Sequence, residues 1–310
     1  MPEFGTVRIP KQAPRSIFSE ASASIILKNC KVKCKVAEMK RTHAPLKLPG
    51  SPLIYVVAQV NISAVVAIER YVPEIQEHLR KSGFPGYTNI QVPEIVFEAV
   101  GARPVVTPLS RYEFQDKEGR TAIVLTPKSI AVHTNRYTTF DNFHSIIAMA
   151  LETIHGAAGL QLHERIGLRY VDLIELEAGE ELKDYLAPRL LGYNEAAIGV
   201  SEGLFNFHFE GKTPFGRLVA RHYPPQIRNM LPPDLAGVSL NYSYRPDPLP
   251  GRASLLDFDH AADYRSDFVI EEILETLENL HDGLDIIFRD SVTAAALKKW
   301  GKENVAGIKS

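Results

Sequence analysis

The period of the hydrophobic positions changes several times along the chain, and each change marks an element. Leu53–Ile62 is a near-continuous apolar run rich in Val and Ile, which predicts a buried strand. In Val72–Lys81 the apolar residues Ile75 and Leu79 fall four apart and Gly83 follows, which predicts a helix and its stop. Four strand-like segments come next, at 94–100, 105–115, 121–125 and 129–135. The turn 116–119 joins the second to the third, and Pro127 separates the third from the fourth. A long helix is expected from about 140 to 155, ended by Gly156.

The same order then recurs. A strand is predicted at 165–176, and a helix at 180–191 weakened by Pro188 and ended by Gly192. Strands follow at 196–210, 215–222, 238–244 and 254–260. The closing helix, 267–288, carries Ile270, Ile273, Leu277, Leu280 and Leu284 on one stripe, and a short amphipathic helix runs to Trp300. The expected fold is α+β, with two similar halves that each run strand, helix, four antiparallel strands, long helix. The halves span 45–160 and 161–310, after a basic tail at 1–44 that reads as unstructured. Faint local similarity agrees: Tyr137 and Phe140 precede Glu152-Thr-Ile-His155, as Tyr264 and Phe268 precede Glu278-Asn-Leu-His281. Two Glu-x-x-His helices suggest a carboxylate metal site, but such a site needs two further carboxylate helices. His155 and His281 therefore read as helix-end residues, and no metal is assigned.

Period-two alternation sorts the strands into faces. Ile166, Leu168 and Tyr170, with the rows led by Phe205, Leu218, Leu240 and Leu256, form an apolar face for the closing helix. The opposite face carries Arg165, Gly167 and Arg169, then Arg217 and Arg221, then Asp257 and Asp259. The first half has a milder version in Tyr55, Gln59, Asn61, Arg111, Glu113, His133 and Asn135. Arg165, Arg169, Arg217, Arg221, Asp257 and Asp259 are the candidate binding residues. Three readings compete for them: a solvated face, a set of structural Arg–Asp pairs, or a groove for an anionic ligand. Arg169, beside Gly167, is expected to pair with Asp257 or Asp259.

Composition narrows the class. With 45% hydrophobic and 23% charged residues the chain of 310 residues reads as globular, and its apolar runs are too short to span a membrane. The two cysteines, Cys30 and Cys34, exclude a disulfide framework, and the start lacks the pattern of a secretory signal, so a cytoplasmic location is expected. A net charge of −2 disfavours nucleic acid as a partner, although residues 1–38 hold seven Lys or Arg against three Glu. No phosphate loop, dinucleotide fingerprint, His-Glu-x-x-His or Gly-x-Ser-x-Gly occurs, so catalytic residues and cofactor stay unassigned. Glu94 and Glu98 share a strand face without the alternating pattern of triphosphate hydrolases, and the row of aromatic residues reads as core.

The strand Glu164-Arg-Ile-Gly-Leu-Arg-Tyr-Val-Asp172, with 52–60, 75–80, 256–259 and 280–288, resembles a sporadically distributed bacterial family whose function is not established. The resemblance runs from about Ala44 to Trp300, with departures at Asp172, where Asn is more usual, and at Tyr112, where Trp is common. It implies an architecture and no mechanism. The leading expectation is a non-catalytic binding or assembly protein that uses the polar face toward an anionic small molecule or a protein partner. The alternatives are an enzyme acting on a phosphorylated or other anionic small molecule, with the arginines as clamps and Asp257 or Asp259 as base or metal ligand, and, more weakly, nucleic-acid binding through the tail.

Overall fold

The computed structural model describes residues 48–96, 105–201, 205–224, 231–235, 239–243 and 251–302. The basic tail with Cys30 and Cys34, together with Glu98 and Tyr244, lies outside the described residues. The strands are β1 (Leu53–Ile62), β2 (Gly86–Val96), β3 (Val105–Gln115), β4 (Thr121–Thr126), β5 (Ser129–Thr134), β6 (Leu162–Glu175), β7 (Phe207–Thr213), β8 (Gly216–Tyr223) and β9 (Ala253–Asp267). They form one antiparallel sheet in the order β2-β3-β4-β5-β1-β6-β9-β8-β7. The fold is thus mixed α+β, with β1 and β6 side by side at its centre.

Helices α1 (Val72–Lys81), α2 (Phe140–Ala158) and α4 (Ile270–Ser291) pack on one face of this sheet. Each has a physical reason to form where it does. Thr139 caps α2 by accepting from the Asn142 amide, and Gly159 closes it in the left-handed region at φ 60°. On α4 the buried residues Ile273, Leu277, Leu280 and Leu284 recur four, three and four apart and lie against Ile166, Leu168, Phe258 and Leu256 of β6 and β9. Truncating one of these leucines to Ala is expected to cost about 2–5 kcal/mol. A short helix α5 (Ala294–Trp300) closes the layer, with Trp300 beside Phe288 and Tyr185.

Several predicted elements differ. Strand β2 begins at Gly86 rather than at 94, because its whole length pairs with β3 from Gly86↔Gln115 to Val96↔Val105. The helix expected at 180–191 is two turns of 3₁₀ helix, Leu182–Asp184 and Pro188–Leu190, the second opened by the proline that limits a longer helix. Of the described residues in 196–210 only Phe207 onward is strand, and a single turn of helix, α3 (Glu195–Ile198), precedes it. Strand β9 runs on to Asp267, so the closing helix starts at Ile270.

The largest departure is at 238–244, where the described residues 239–243 are not a strand. Their backbone bonds instead to the β3–β4 hairpin and its surroundings. The Asn241 amide donates to Gly119 O at 2.7 Å, and Asn135 Nδ2 donates to Asn241 O at 2.8 Å. Leu240 and Tyr242, expected under the helices, therefore lie on the opposite face with Ile54, Tyr55, Val171, Leu173 and Leu255. Phe207 packs on the main core but Phe209 of the same row is exposed, since β7 is the sheet's edge.

Candidate functional site

The described residues cover the face opposite the helices only in part, and among them its centre is a cavity of about 430 Å³. Cross-strand register explains the hollow. One row runs Val124, Ala131, Gln59, Gly167, Ala261 across β4, β5, β1, β6 and β9, so three of its five side chains are Gly or Ala. The next row runs His133, Val57, Arg169, Asp259. Small residues make the floor and long polar ones the wall. Asp234 and Leu235 supply a further wall from outside the sheet.

Arg169 is forked twice. Its Nε and Nη2 donate to Asp257 at 2.6 and 2.8 Å, and its Nη1 and Nη2 donate to Asp234 at 2.5 and 3.1 Å. Burial by itself would lower the Arg169 pKa, but the hydrogen bonds to the two aspartates more than offset this and raise it. Asp257 is fully buried, and its Oδ2 also accepts from Arg221 at 3.0 Å. Asp234, by contrast, leaves 61% of its side chain exposed. The hydrogen bonds from Arg169 hold its carboxyl below the usual range.

Arg165 behaves differently. Its ion pairs with Asp263 and Asp259 are long, at 3.3 and 3.7 Å, and its guanidinium lies over Gly167 at the cavity floor. It is thus Arg165, not Arg169, that uses the space left by the glycine. Burial pushes the Asp259 carboxyl up, against the opposing effect of Arg165.

The first half contributes residues that the alternation grouped by face without marking as a site. Arg111 Nη2 reaches Glu113 at 3.3 Å, while its buried Nε finds no partner among the described residues. His133 is buried, and burial brings its pKa down to about 4, so the ring is neutral at physiological pH. Its Nδ1 lies 3.4 Å from the Tyr55 hydroxyl, and its Nε2 has no partner among the described residues. Burial also raises Tyr55, so its hydroxyl keeps the proton it can donate to Nδ1, which puts a proton on Nε2.

Of the six candidates from the sequence, Arg165, Arg169 and Asp259 line the cavity. Asp257 and Arg221 lie just behind, holding Arg169 in place. Arg217 is not part of this group: it reaches Glu210 on the neighbouring β7 at 3.3 Å and is half exposed. Sequence reading missed Asp234, which sits in a non-periodic segment where no alternation marks a face. Arg111, Tyr55 and His133 carried a signal, their shared parity with Gln59 and Glu113.

The Glu-x-x-His residues have aromatic surroundings. His155 stacks on Phe268 at 5.2 Å and His281 on Phe140 at 4.0 Å, with His281 Nδ1 also 2.9 Å from the Tyr170 hydroxyl. Among the described residues no three His, Cys, Asp or Glu are grouped to hold a metal ion, and no helix is long and apolar enough to cross a membrane. Compared with known families and curated proteins, the chain matches no family model and no curated protein.

Proposed function

We propose that this protein is a non-catalytic binding protein whose Arg/Asp-rich sheet face holds a small anionic molecule. The observation that carries the reading is that two residues lining one cavity, His133 and Arg111, each carry a buried nitrogen, Nε2 and Nε, with no partner among the described residues. A buried polar atom left unpaired costs about 1–3 kcal/mol, which a ligand oxygen at each would recover. The loosely paired Arg165 adds a cation to the same wall. The size of about 430 Å³ suits a small molecule rather than a protein surface.

The second reading is an enzyme acting on a phosphorylated or other anionic small molecule. Asp259 favours it, since it lines the cavity with a raised pKa suited to a base. Asp257 does not, being fully buried with both oxygens engaged by arginines.

The same proposal takes the chain as an internal duplication within the resembled bacterial family, acting in the cytoplasm. Support comes from the topology, in which β1, β3, β4, β5 and α2 correspond in order to β6, β7, β8, β9 and α4. The cavity would then straddle the seam where β1 meets β6.

Calorimetric titration with small carboxylates, phosphates and nucleotides tests the binding function. The expected result is saturable binding that Arg165→Ala and Arg111→Ala each abolish while their melting transitions stay cooperative. Binding that survives both substitutions would show that the site lies elsewhere.

A further inference from the structure

Asp234 is out of character with its neighbours. The other acids in and around the cavity are built into strands: Asp259, which lines it, and Asp257 behind it in β9, and Glu113 beside Arg111 in β3. Asp234 sits on a single 3₁₀ turn, Pro233–Leu235, and comes over the sheet from outside to reach Arg169. The two partners of Arg169 are therefore unlike. Asp257 is fully enclosed and shared with Arg221, whereas Asp234 is largely exposed and, among the described residues, is hydrogen-bonded to the Arg169 guanidinium.

Charge pairing says what this carboxylate does. Arg111 has Glu113 and Arg165 has Asp259 and Asp263. Asp257 faces two arginines, Arg169 and Arg221, and one carboxylate cannot balance both. Asp234 is the second carboxylate at this pair of arginines, while Arg165 has two carboxylates of its own. Its two oxygens meet two nitrogens of one guanidinium, Nη1 and Nη2, in the side-by-side arrangement that Arg offers to any carboxylate. A second carboxylate brought by a ligand could take the same two nitrogens and keep the Arg169 guanidinium paired. The apolar side chains Val57, Val124 and Leu235 that also line the cavity favour an organic acid over a bare inorganic ion.

We propose that the cavity's ligand is a small organic carboxylate, and that Asp234 is the built-in occupant of its seat on Arg169, displaced when the ligand binds. This rests on the anion-binding reading given above. The ligand's remaining polar groups would meet Arg165 and the orphaned nitrogens of His133 and Arg111. Affinity is then set in part by how often Asp234 vacates the seat, because a site that is open for only a fraction of the time binds more weakly by that fraction.

The test is titration of succinate, acetate and inorganic phosphate into the wild type, Asp234→Ala, Asp234→Asn and Asp259→Asn. Asp234 is exposed, so its variants are expected to fold, and the Asn variant serves if the Ala variant does not. The expected result is succinate binding about tenfold or more tighter in the Asp234 variants, with a smaller gain for phosphate and for Asp259→Asn. Equal gains in Asp234→Asn and Asp259→Asn would reduce the effect to general charge and overturn the seat. Unchanged or weaker succinate binding in both Asp234 variants, with the wild type still binding, would also overturn it while leaving the anion pocket standing. Binding of phosphate in preference to succinate by every protein would remove the carboxylate assignment. No binding of any probe by any variant would overturn the pocket reading and this inference together.

Discussion

Arg165 lies across Gly167, two residues along the same strand, so closely that a methyl group on residue 167 would stand 2.7 Å from Arg165 Nη1. The glycine is needed for this approach and not for its backbone angles, since β6 is extended here and pairs regularly on both sides. A cation is thereby laid on the floor of the cavity by the absence of a side chain.

Gly167→Ala is expected to move the Arg165 guanidinium off the floor. Only the far end of a flexible side chain has to shift, so stability should change by about 0.5 kcal/mol or less. Anion affinity should fall as far as it does in Arg165→Ala. Retained affinity in Gly167→Ala, with Arg165→Ala impaired, would show that the position of the guanidinium over the glycine is immaterial.

Arg169→Ala leaves the fully buried Asp257 with Arg221 as its remaining partner, at 3.0 Å. Removing one member of a buried pair typically costs about 3–5 kcal/mol, and the surviving arginine places this case near the lower end. Denaturant melts of Arg169→Ala, Asp257→Ala and the double variant should give strongly non-additive losses. Small, additive losses would mean that the fork contributes little to folding.

His133 titrates at about 4 in the fold against an ordinary 6.5, because burial disfavours the charged ring. Between those values the unfolded chain holds a proton that the native protein lacks, so stability must fall as the pH drops through that window. Burial lowers His163, His222 and His260 as well, and each adds in the same direction. Chemical denaturation from pH 7 to 4 should show this decline, with His133→Gln removing part of the slope. An unchanged slope in that variant would show that His133 takes up its proton in the folded state at an ordinary pH.

Asp172 gives the opposite slope. It is buried between Leu53 and Leu256 on the neighbouring strands, and burial, helped by the charge of Asp257, pushes its carboxyl from 3.8 up to about 8. Between those values the native protein holds a proton that the unfolded chain has released, so stability falls as the pH rises. Asp172→Asn imitates the protonated form. It should raise stability near pH 8 by an amount on the order of a few kcal/mol and remove the part of the slope that Asp172 contributes between about pH 4 and 8. A loss of stability at pH 8 would mean that the ionised carboxylate is accommodated in the native state.

Sequence alone determined whatever depends on a local period. Arg165, Gly167 and Arg169 share a face because side chains alternate along any strand, and Asp257 and Asp259 follow by the same rule. The stripe Ile273, Leu277, Leu280 and Leu284 declared a buried helix for the same kind of reason, one turn at a time. Parity also grouped Tyr55, Gln59, Arg111 and His133 by strand face before any register was known. What tertiary structure decided is which of these groups meet. Alternation assigns a face but not a neighbour: it could not tell that Arg165, rather than Arg169, folds over Gly167. Nor could it assign the segment 239–243, whose alternating Leu240 and Tyr242 imitate a strand while its backbone bonds to a hairpin more than a hundred residues away. Asp234 is the extreme case. It pairs with Arg169 across 65 residues from a turn with no period at all, so only the folded chain brings the two together.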